Sequence, residues 1–182
     1  MKITITGLNH EVQWKDVPGR RLQTEIEKFL KNSPVELIAE EAYRLPTTVG
    51  QRLAYKYDIP WLEVDMHYAE RKEHGIDDGK RKQGPRLNDK MESTGKSYCY
   101  FCPEIDEVRE KHWMARLERN GSVGSVLFIC GLLHVNSLKE KWEYLGHIVE
   151  RWNLHDTDWF RAVYGTYTIM EQDGERWCEV TT

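Results

Sequence analysis

The 182-residue chain lacks any run of 18 uncharged apolar residues, and its start, MKITITGLNH, lacks the apolar core of a signal peptide. A membrane span and secretion are therefore unsupported, and a cytoplasmic setting is expected. The chain carries no acidic or basic tail either: 26 Lys and Arg stand against 30 Asp and Glu, for a formal net charge of −4. That balance removes the global attraction behind non-specific nucleic-acid binding, which leaves only a local basic cluster, Lys80, Arg81, Lys82 and Arg86, to meet a polyanion. Cysteine is sparse. Cys99 and Cys102 form one C-x-x-C, but no second such pair and no nearby H-x3-5-H completes a zinc knuckle, so the four cysteines read as reduced thiols. No internal repeat or low-complexity tract divides the chain, whose length suits one domain.

What is present is an alternation of β-branched runs and helical stripes. KITIT at 2–6 stops at Gly7 as a strand would, and Leu22, Ile26, Phe29 and Leu30 then recur at helical spacing until Asn32, Ser33 and Pro34. VELIA at 35–39 returns to strand. Thr48 with Gln51 has the capping-box form, Val49, Leu53 and Tyr57 supply a stripe, and WLEV at 61–64 makes a third strand. A helix over 104–119, the most apolar strand SVLFIC at 125–130, a helix opened by Ser137 with Glu140 and closed at Gly146, and a fifth strand at 147–150 follow. The tail, 155–182, holds TYTIME, QDG and ERWCEV, the form of a β-hairpin. This order predicts a single α/β domain, its sheet mostly parallel with helices on both faces, plus a C-terminal hairpin. Between His67 and Ser97 the pattern vanishes: 8 Lys or Arg and 6 Asp or Glu accompany only five apolar residues, which predicts an insertion loop, lid or arm.

Parallel strands align their carboxyl ends along one edge, where open α/β sheets bind ligands. The expected edge carries His10 after the first strand, Glu40 and Glu41 after the second, Asp65 and then His67 after the third, and His134 after the most apolar one. GLNH at 7–10 and GLLH at 131–134 are the same G-x-x-H word in the same structural slot, each glycine read as allowing a sharp turn. An imidazole can take a proton from water while a carboxylate fixes its tautomer. His10 and His134 with Glu41 equally suit a divalent metal such as zinc, manganese or cobalt. Arg109 shares a helical face with Ile105 and Trp113, from which it could grip an anionic substrate group or pair with Glu41.

GLNH at 7–10, ELIAEE at 36–41, IPWLEVD at 59–65, REKHWM at 109–114 and LFICGLLH at 127–134 together resemble the superfamily joining erythromycin-esterase-like, ChaN-like and TraB/Tiki proteins. The resemblance covers residues 1–150. It implies an α/β fold on which two GxxH motifs, an acidic residue and an RE-type helix motif build one polar site. Carried onto this chain, it puts His10 and His134 at the centre, Glu40 or Glu41 as their acid, and Arg109 with Glu110 beside them. It also implies hydrolysis, with metal-free and metal-dependent schemes both represented among its members.

The expected activity is thus a hydrolase whose His10 or His134 activates water for attack on a small-molecule or peptide substrate. Glu40 and Glu41 orient or co-ligate, Arg109 holds negative charge, and Asp65, His67, Glu110 and Trp113 line the binding region. The competing expectation is a binding module that captures a small anionic ligand, nucleotide or nucleic acid without turnover. No membrane partner is expected, and association between copies of the chain is left open.

Overall fold

The structure, a computed structural model, describes residues 1–8, 12–13, 16–42, 47–77, 84–95 and 98–181, with backbone alone for 16–20. Five strands, β1 (Lys2–Leu8), β2 (Leu37–Glu40), β3 (Trp61–Glu63), β5 (Ser125–Gly131) and β6 (Ile148–Arg151), form one parallel sheet in the order β3-β2-β5-β1-β6. A second, antiparallel sheet has the order β4-β8-β7, from β4 (Cys99–Phe101), β7 (Thr166–Gln172) and β8 (Glu175–Thr181). The hairpin between β7 and β8 turns at Asp173 and Gly174, both at positive φ as a two-residue turn of the Asp-Gly kind needs. β4 is too short and too polar in its surroundings to announce itself in the sequence. It exists because β8 offers it an edge.

Alternation along the strands builds a core on each face. Ile3, Ile5, Ala39, Val126 and Phe128 pack against Trp113 and Leu117 of α5 (Pro103–Glu118) and Leu138 and Trp142 of α6 (Val135–Tyr144). Ile38, Leu127 and Ile129 face the other way, toward Leu22 and Ile26 of α1 (Asp16–Asn32), Val49 and Leu53 of α2 (Val49–Tyr57), and Phe160 of α7 (Asp158–Tyr164). Thr48 caps α2, its hydroxyl accepting from the Gln51 N–H, and Gly146 takes the positive φ that ends the turn after α6.

Three expectations change. The 67–97 segment is not irregular throughout, since it contains α3 (Tyr68–Glu73) and α4 (Pro85–Thr94). α4 buries only Leu87 and is fastened by its ends and charges: the Glu175 carboxylate accepts the N–H groups of Arg86 and Leu87, Arg86 pairs with Asp173, and Lys90 with Glu179. The basic cluster's Lys80, Arg81 and Lys82 lie outside the described residues. Second, α6 starts at Val135, so Ser137 lies inside it and is not its cap. Third, of the two GxxH glycines expected to turn the chain, only Gly131 stands at a turn, as the cap of Leu132–His134. Gly7 is still in β1, and a Cβ there would stand 2.5 Å from Val135 Cγ2 and 2.7 Å from Leu132 Cα; its service is to let β1 touch the turn that follows β5.

Candidate active site

The connection leaving β1 runs over the α1 face to β2, whereas that leaving β5 runs over the α6 face to β6. Adjacent strands whose connections diverge to opposite faces open a crevice at their carboxyl ends, and β1 and β5 are such a pair, with Leu8 opposite Gly131. A cavity of about 270 Å³ occupies this place. Leu8, Glu41, Arg109 and the Gly131–His134 turn form its floor, and Tyr98, Cys99, Tyr100, Tyr167 and Cys178 of the small sheet and its approach form its roof. The small sheet is seated there by Phe101 and Cys178 packed on Leu132 and Leu133, and by Arg176 donating to the Leu133 carbonyl at 3.2 Å.

His134 follows β5 in a short 3-10 turn, Leu132–His134, and is 7 % exposed. Its Nδ1 lies 2.7 Å from Oε1 of the fully buried Glu110 on α5, and its ring meets Trp113 edge-on at 4.8 Å between centroids and Phe101 at 5.6 Å. Burial works against ionisation of Glu110, but bonds from His134, Lys141 (2.6 Å) and Ser137 (2.6 Å) outweigh it and hold the carboxyl below its ordinary pKa. An ionised Glu110 can only accept, so the proton of the neutral imidazole sits on Nδ1 and Nε2 keeps its lone pair. His134, Ser137 and Lys141 form one stripe along the start of α6, and that spacing was a readable sign of a shared partner.

Beside this pair, Arg109 is ion-paired with three carboxylates. Its guanidinium donates to both oxygens of Asp65 (3.2 and 3.0 Å), to Asp106 (3.1 Å) and to Glu41. Burial alone would lower its pKa; Glu41, Asp65 and Asp106 together raise it instead. Of the two uses expected for Arg109, the pair with Glu41 is present: the guanidinium ties α5 to the ends of β2 and β3 while it borders the cavity. Asp65 is likewise committed, accepting also from Arg71 (2.8 Å) and Trp113 Nε1 (3.0 Å). Glu41 divides its oxygens between Arg109 and the Gly131 N–H at 2.8 Å, and so braces the His134 turn.

Two candidates stand elsewhere. Glu40 belongs with Ile38 on the α1–α2 face, where it accepts from Thr48 and from Trp61 Nε1 and crowds the missing Cβ of Gly50. Strand alternation sends it away from Glu41. His67 is exposed at the start of α3, with Glu63 4.0 Å from its Nε2. His10 lies outside the described residues. Among the described residues no group of three or more His, Cys, Asp or Glu is placed to hold a metal ion. Of the metal set His10, His134 and Glu41, Glu41 gives its two oxygens to Arg109 and the Gly131 N–H, whereas His134 bonds Glu110 through Nδ1 and keeps its Nε2 lone pair open, so the described members offer one imidazole nitrogen and no complete ligand set. No helix among the described residues is long and apolar enough to cross a membrane. Compared with protein-family models, curated proteins and solved structures, the chain matches none.

Proposed function

We propose that the chain is a hydrolase in which His134, oriented by Glu110, takes a proton from water through Nε2 as that water attacks a carbonyl bound in the cavity. The observation that carries this reading is the buried His134–Glu110 pair at the wall of the switch-point cavity. Glu110 stabilises the imidazolium that forms without itself taking the proton, and the two aromatic edges keep the ring from turning. Glu41 and Arg109 act through the backbone of the turn, as positioning residues. His10 is proposed as the second imidazole, because β1 ends at the cavity with Leu8; this follows the two-GxxH resemblance to the erythromycin-esterase-like, ChaN-like and TraB/Tiki superfamily.

The cavity is smaller than the roughly 300–1,000 Å³ typical of drug-sized ligands, and leucine and tyrosine side chains dominate its wall. Both features favour a small, uncharged ester or amide over a peptide, and the neutralised Arg109 speaks against capture of an anion without turnover. The proposed step uses the Nε2 lone pair of His134 as the base and draws on no metal, and the proposed setting is the cytoplasm.

The test is a panel of small esters, peptides and phosphoesters with the full chain and with His134→Ala and His10→Ala. Turnover of a neutral small ester or amide is expected, falling about 10²- to 10⁴-fold in His134→Ala, the range for loss of a general base. Undiminished turnover in His134→Ala would overturn the proposal.

A further inference from the structure

Cys99 and Cys178 are register partners in the antiparallel pair β4–β8. Directly opposed residues of such a pair point to the same side, and their Cα atoms stand about 4.5 or 5.5 Å apart, both inside the roughly 4.4–6.8 Å that a disulfide spans. Both residues also border the cavity. None of the four cysteines is in a disulfide, and the two sulfurs differ in situation: Cys99 is exposed and Cys178 is buried. Burial, and then the neighbouring Cys99, push the Cys178 thiol up to about 12. Cys102 is buried at the start of α5, where its thiol donates to Glu104 at 3.3 Å, and Cys130 is buried in the core. Cys99 is therefore the thiol open to attack from solution, with Cys178 as the sulfur that stands across from it.

We propose that Cys99 and Cys178 form a redox-active dithiol that a small-molecule disulfide, such as oxidised glutathione, converts to a cross-strand disulfide, fastening β4 to β8 at the cavity roof. In the first step the Cys99 thiolate attacks one sulfur of the oxidant, forming a mixed disulfide and expelling one glutathione thiolate. Cys178 then loses its proton to solvent and attacks the Cys99 sulfur, expelling the second glutathione. Two thiols are oxidised and one small disulfide is reduced to two thiols, so electrons and atoms balance. A bond between directly opposed strand residues must draw the two Cβ atoms closer than an open pair, so it is a readily reduced link rather than a permanent staple. Its place gives it a consequence. Tying the edge strand β4 to the central β8 fixes two of the segments that cover the cavity.

The experiment incubates the reduced full chain with oxidised glutathione, blocks remaining thiols with iodoacetamide, and maps the products by peptide mass spectrometry. The expected result is a loss of two hydrogens in the intact mass and a single cross-linked peptide pair containing Cys99 and Cys178, reversed by dithiothreitol. Cys102→Ser should give the same link and Cys99→Ser none. Because Cys99 is exposed, its replacement tests the proposal without emptying the core. A mixed disulfide that stays on Cys99, a link between Cys99 and Cys102, or no reaction would each overturn it. The readout is mass, so it stands apart from any failure to find hydrolysis.

Discussion

Glu110 is the residue on which the site depends, because one carboxylate fixes the imidazole on one side and takes Lys141 and Ser137 on the other. Its folded pKa lies below the ordinary 4.5, so its contribution to stability is complete above that value and is lost as the pH falls through the lower one. Denaturant unfolding of wild type and Glu110→Gln from neutral pH down to about 3 should show this as a difference between the two curves that shrinks on acidification. A difference that does not change with pH would contradict the assignment. Arg109 gives a second test. Its removal leaves Glu41, Asp65 and Asp106 buried together, and Arg109→Ala should cost about 3–5 kcal/mol in the same measurement, far more than an exposed ion pair returns. At this scale the sequence was half legible. The place of His134 at the carboxyl edge could be read from its position after the most apolar strand. The choice between Glu40 and Glu41 needed the alternation of Leu37 and Ala39 against Ile38, and the three carboxylates around Arg109 needed coordinates, because nothing in a helical stripe says how many converge on it.

At the scale of elements, α5 explains why the site is built on a helix that looks unremarkable in sequence. Its buried face carries Asp106, Arg109, Glu110 and Trp113 at spacings of three, four and seven, so the stripe facing the sheet edge is polar where a core helix is normally apolar. The five parallel strands and the helices between them were legible because their apolar residues follow periods of two or 3.6. β4 and α4 were not. Both take their stability from β8, through strand pairing with Cys178 and Trp177 and through Glu175 at the helix start, and a single-segment pattern carries no trace of such long-range partners. Glu175→Ala should therefore cost about 0.5–2 kcal/mol, the worth of an N-terminal cap, and should raise amide exchange across 85–94 while β1 and β5 stay protected. Loss of protection in the parallel sheet would show that α4 is part of the main core after all.

For the whole molecule, the order β3-β2-β5-β1-β6 matters more than any motif, because it sets two strands with diverging connections side by side and so opens the crevice. The alternation of elements foretold parallel strands and helices on both faces. It did not foretell that the hairpin, with β4, would fold over the carboxyl edge and turn an open crevice into a cavity, since sheet-on-edge packing has no local signature. The proposed reaction rests on one arrangement beside that cavity: Nδ1 of His134 donates to Glu110, which leaves the Nε2 lone pair open for the proton of a water. The direct measurement is ¹⁵N NMR of the histidine rings in the labelled full chain, at a pH where the His134 ring is neutral and with His134→Ala to assign the signal. The account predicts a proton on Nδ1 and a bare Nε2, disturbed by Glu110→Gln. A proton found on Nε2 would contradict it.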